Sequence, residues 1–118
     1  LGLGYLGFQL APKPMSSDLS LISEDKPAVV LAYENFSPTG GEVLGRLKAL
    51  RPDYEARLNF IVADLGTPQG RAFGERHGLV DGQAVLLSSE GRAVAVMGPM
   101  ASDPFMRELF DKQLAAER

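Results

Sequence analysis

Apolar residues along this chain gather in two kinds of pattern, and the contrast between them predicts the elements. Ala28-Val29-Val30-Leu31-Ala32-Tyr33 runs unbroken between Pro27 and Glu34-Asn35, which is how a strand buried on both faces reads. Leu58 to Ala63 repeats the pattern and ends at Asp64. Between these runs Val43, Leu44, Leu47 and Leu50 recur at helical spacing up to Pro52, where the lost amide hydrogen predicts the end of a helix. Thr67 and Pro68 supply a hydroxyl cap and a first-turn proline, and Gly78 follows His77, so a second helix is predicted to end at His77. Ala84-Val85-Leu86-Leu87-Ser88 and Ala93-Val94-Ala95-Val96-Met97 flank Ser89-Glu90-Gly91-Arg92, the composition of a β-hairpin. Ser102-Asp103-Pro104 then opens a last helix with Phe105, Met106, Leu109, Phe110 and Leu114 on one face and Lys112 near its end.

The order strand, helix, strand, helix, hairpin, helix fixes a class. A right-handed crossover makes the first two strands a parallel pair, and the hairpin extends that sheet in antiparallel sense. The expectation is an α/β, three-layer fold: a central mixed sheet of at least four strands flanked by helices. The folded domain is expected over 18–118. Asp18-Leu19-Ser20-Leu21-Ile22-Ser23 reads equally as a helical turn capped by Asp18 or as an edge strand, and its few residues do not separate the two.

Residues 1–17 have a different character. Ala11-Pro12-Lys13-Pro14-Met15-Ser16-Ser17 is a proline-containing linker, preceded by the apolar arm Leu1-Gly2-Leu3-Gly4-Tyr5-Leu6-Gly7-Phe8-Gln9-Leu10. Ten residues fall short of the ~20 that span a bilayer. The arm reads either as the tail of a signal sequence or membrane anchor or as a segment packing on the domain or on a neighbouring copy. The first reading implies a tether upstream of Leu1 and a secreted or membrane-tethered domain outside the cytoplasm of a bacterial cell.

Composition narrows the chemistry. With 118 residues and 45% apolar side chains, the chain can bury one core without metals or disulfides. Its net charge of −3 and lack of a Lys/Arg cluster argue against nucleic acid as a partner. There is no cysteine and one histidine, His77. Thiolate chemistry and cysteine-based metal sites are therefore excluded, a histidine metal site lacks its second ligand, and no cofactor is expected. His77 before Gly78 is expected to interact with the last carbonyls of its helix. Asp53, Asp64 and Asp81 read as solvated turn acids.

From Val30 to Tyr54 the chain aligns without a gap against central strand, active-site loop and first long helix of the thioredoxins. The order of elements resembles that family over nearly all of Pro27 to Leu114. In this resemblance Phe36 takes the place of the family's tryptophan. Ser37-Pro38-Thr39-Gly40 occupies the Cys-Gly-Pro-Cys motif, with Ser37 at the nucleophilic cysteine and Gly40 at the resolving one. Leu31 replaces the buried proton-relay acid, and Gly41 the lysine after the motif. Gln83-Ala84 stands where the cis-proline belongs, and a trans peptide is expected there because a non-proline cis bond costs about 2.5–4 kcal/mol. The resemblance implies a non-redox member of the thioredoxin-like superfamily, lacking both active-site cysteines and the cis-proline.

The candidate surface is Phe36, Ser37, Pro38, Thr39, Gly40, Gln83 and Ala84, with Ser37 and Gln83-Ala84 facing one another. The leading expectation is a non-catalytic module that binds a protein or peptide segment there. A second is a serine-type glutathione-binding or transferase-like site, with Ser37 holding the thiol at a helix N-terminus. A third is a structural domain of a membrane-tethered protein.

Overall fold

The computed structural model describes residues 15–22 and 25–117. β1 (Ala28–Tyr33) lies parallel to β2 (Asn59–Asp64) and antiparallel to β3 (Ala84–Leu87), which pairs with β4 (Ala93–Met97). The sheet order is β2-β1-β3-β4. α1 spans Pro38–Tyr54, α2 Pro68–His77 and α3 Asp103–Ala116. The two runs taken as parallel neighbours are paired as expected, Val30 opposite Ile61.

Alternation along β1 divides the core in two. Val29 and Leu31 point to one face with Leu47 and Leu50 of α1 and Met106 and Phe110 of α3. Val30 and Ala32 point to the other, with Ile61, Phe73 of α2 and Leu79. Every residue from Ala28 to Ala32 is fully buried, which is why the run is apolar without a break. On the first face the Phe110 ring meets Tyr54 and Phe60 edge-on, with centroids 5.3 and 5.9 Å away.

Several expectations need correction. α1 passes through Pro52 and ends at Tyr54. Pro52 lies in the last turn, where one lost hydrogen bond is offset by the buried Tyr54 ring and its hydroxyl donating to Asp111 at 2.8 Å. Phe105, placed on the apolar face of α3, is 46% exposed, while Met106, Phe110 and Leu114 are buried. It sits in the first turn of the helix, one residue before the buried Met106. Leu19–Leu21 forms a 3-10 turn capped by Asp18, which accepts from the Ser20 amide. That settles the open segment. Packing also starts before Asp18: Met15 is buried in the core and Ser16 bridges Ile61 in parallel sense. The apolar arm over residues 1–10 and the start of the linker lie outside the described residues.

β4 is an outer strand. Val94 and Val96 on its α2 face are about half exposed, whereas Met97 on the other is buried.

Candidate functional site

The chain leaves β1 through a tight turn. The Ser37 amide donates to the Glu34 carbonyl at 3.0 Å, closing a four-residue turn whose third residue, Phe36, has φ 65°. That position ordinarily takes glycine. Holding a phenylalanine there costs about 1 kcal/mol or more, and its side chain is 96% exposed. Burial therefore returns none of that cost within the described residues.

Ser37 is the N-cap of α1, accepting from the Gly40 amide at 3.2 Å, with Pro38 following in the first turn. Its hydroxyl hydrogen goes elsewhere: Ser37 Oγ donates to Asp81 Oδ2 in a short hydrogen bond. The other carboxylate oxygen accepts from the Glu34 amide at 2.7 Å. Asp81 thus clamps both ends of the Glu34–Ser37 turn. It is not the solvated turn acid its loop position suggests.

The same carboxylate fills the space beside Gly40. A Cβ added there would overlap Asp81, and it would stand 2.6 Å from Tyr33 Cδ1. The position that matches the resolving cysteine is buried and blocked, and Leu31, at the relay position, is sealed in the core opposite Val62 and Ala84.

Across from the motif lies Asp81-Gly82 rather than Gln83-Ala84. Gly82 has φ 89°, and a Cβ on it would approach Thr39 Cγ2 to 2.9 Å and Pro99 Cβ to 3.5 Å. Its amide donates to Ala32, and the Gln83 carbonyl accepts from the Ala32 amide, so this loop is tied to β1. The Gln83 side chain turns back to accept from the Val80 amide at 3.0 Å. Ala84 is fully buried in β3 and offers no surface. The peptide between them is trans.

The loop after β4 completes this end of the domain. Arg46 of α1 donates to the Pro99 and Ala101 carbonyls, leaving Met100 90% exposed between them. On the other side of Asp81 opens a cleft of about 330 Å³ lined by Glu34, Leu65, Arg71, Glu75, Val80 and Asp81, among others. Met100 was not singled out in the sequence, and neither was Asp81's role.

His77 takes no part. Its ring rests on Phe73, centroids 4.5 Å apart, and burial, aided by Arg76, holds its pKa below the ordinary imidazole value. That environment favours the neutral ring. Among the described residues no group of three or more His, Cys, Asp or Glu side chains could hold a metal ion, and no helix is long and apolar enough to cross a membrane.

No family model and no curated protein sequence matches the chain. Solved structures do. A thioredoxin-like protein of Clostridium perfringens, described as uncharacterized, superposes with a TM-score of 0.75 at 16% identity, covering 95% of this chain and 88% of its own. This chain has the thioredoxin fold. The germline-specific thioredoxin Deadhead of Drosophila melanogaster gives a TM-score of 0.67 at 16% identity over 85% of this chain and 98% of that one. Trxlp of Edwardsiella tarda gives 0.64 at 15% identity over 77% and 87%. Likeness at such identities carries the thioredoxin-like fold and not an activity. This thioredoxin-like chain contains no cysteine.

Proposed function

We propose that this thioredoxin-like domain is a non-catalytic binding module that takes up a protein or peptide segment across the end of the sheet where Phe36, Pro38 and Thr39 meet Gly82. The observation that carries the reading is Phe36 itself: a fully exposed aromatic held at positive φ directly before the helix. A chain that keeps an unfavourable backbone angle to display a large apolar side chain has a use for the side chain. Asp81 supports the same reading, because it occupies the place of the missing chemistry and makes the turn rigid.

A glutathione site is less favoured. A serine that holds a thiolate must donate to it, and the Ser37 hydrogen is committed to the Asp81 carboxylate.

Peptides selected from a random library on the immobilised domain test the reading. Their binding to ¹⁵N-labelled protein should shift amide signals over 34–41 and 81–83 and disappear with Phe36→Gly, while Val94→Lys on β4 leaves it intact. Peptides that map elsewhere, or that bind Phe36→Gly as well as the parent, overturn it. Reduced glutathione should leave the signals over 36–41 in place.

A further inference from the structure

The partner of this face can be described more closely from the charges around it, an inference that rests on the binding reading above. Two exposed apolar side chains mark the face, Phe36 before α1 and Met100 after β4. Between the two segments that carry them, Thr39 and Pro99 both close on Gly82. The carboxylates about this face are Glu34 and Asp81 on the β1 side, Glu42 on α1 and Asp103 at the start of α3, with Glu75 across the cleft.

The cations nearby are mostly engaged. Arg46 donates to the Pro99 and Ala101 carbonyls and lies 3.7 Å from Glu42. Arg107 is shared between Asp103 and Asp53. Among the described residues Asp81 accepts only from neutral donors, a hydroxyl and an amide, and forms no ion pair. The Glu34 side chain has no hydrogen bond or ion pair among the described residues. Arg71 alone of the cleft lining opposes Glu34, Glu75 and Asp81. The apolar face therefore sits beside a field that is negative on balance.

We propose that the segment bound here is a basic, apolar peptide. One large apolar side chain packs on Phe36 and Met100, and a lysine or arginine beside it is drawn to Glu34 and Asp81. The apolar contact supplies the bulk of the affinity by removing exposed hydrophobic surface from water. The charges select among apolar segments and speed their encounter, as rim charges do elsewhere. An acidic segment meets repulsion at Glu34 and Asp81 and binds more weakly.

The test uses three synthetic peptides of twelve residues with one Leu-Phe pair at the centre and flanks of Lys and Arg, of Ser and Gly, or of Asp and Glu. Titrated into the labelled domain at low salt, the basic peptide is expected to bind about fivefold tighter than the neutral one, and the acidic peptide weakest, a span that two exposed ion pairs allow. Glu34→Gln should narrow the difference between basic and neutral peptides, as should 0.5 M salt, while Met100→Ala weakens all three alike. If the three bind equally, or Glu34→Gln changes nothing, the charge selection is overturned and the binding reading stands. If none of them shifts the signals over 34–41, both are overturned.

Discussion

Ser37 and Asp81, 44 positions apart in the chain, share a short hydrogen bond, and the carboxylate takes up the room that a side chain on Gly40 would need. The site is therefore closed by a carboxylate. Gly40→Ala should destabilise the domain by about 1–3 kcal/mol, the usual cost of overpacking a filled site. Adding Asp81→Ala should return part of that loss, since the overlap with the carboxylate is then gone. Urea unfolding of the two single variants and the double variant reads the coupling directly. Purely additive losses would show that Asp81 does not fill the site.

The same closure governs an engineered dithiol. Positions three apart at a helix start face one another, so Ser37→Cys with Gly40→Cys should oxidise to an intramolecular disulfide. With Asp81→Ala added, the bridge should form more completely at the same glutathione ratio, as mass spectrometry after thiol trapping would show. Insulin reduction should stay poor in both variants, because Leu31 supplies no proton relay.

Phe36 separates stability from binding. Glycine tolerates φ 65° without strain, so Phe36→Gly should leave the midpoint of thermal unfolding unchanged or raise it. The gain is capped at about 1 kcal/mol, because glycine also loosens the unfolded chain. Peptide binding should vanish in the same variant. A clear loss of stability would mean that Phe36 packs on something the exposed ring does not reveal.

His77 predicts a mild acid sensitivity. Its folded pKa is depressed by burial and then by Arg76, so the unfolded chain holds more protons below the ordinary imidazole value of 6.5. The contribution is fully present above that pH and is lost as pH falls through the lower folded value. Urea midpoints at pH 7.5 and pH 5.5 should therefore differ more for the parent than for His77→Gln. Equal differences would remove His77 as the cause.

Phe110 is fully buried and touches both Tyr54 and Phe60. Phe110→Ala should cost about 3–5 kcal/mol, enough to consume much of the stability of a domain this size. Circular dichroism melts would report it as a lowered or missing transition.

The sheet was legible because burial on both faces writes itself into consecutive residues, as at Ala28–Ala32 and Phe60–Ala63. The helix starts were legible because Ser37, Thr67 and Ser102 each stand one or two residues before a proline and cap as local chemistry requires. What depends on distant neighbours was not. Pro52 looked like a stop because the support of Tyr54 comes from α3. Asp81 looked like any loop acid, although its place two residues before Gln83, which was itself aligned on the cis-proline position, was the available signal. Phe105 and Met100 carry apolar side chains into solvent, and no local pattern distinguishes those from core positions.

The outer edge of β4 bears on handling the protein. Ala93–Met97 contains no proline, lysine or acid, the usual guards against one strand edge adding to another, and among the described residues no strand pairs beyond it. Concentrated samples are thus expected to self-associate along this edge before they unfold. Val94→Lys, at a half-exposed position of this strand, should keep them monodisperse in light scattering.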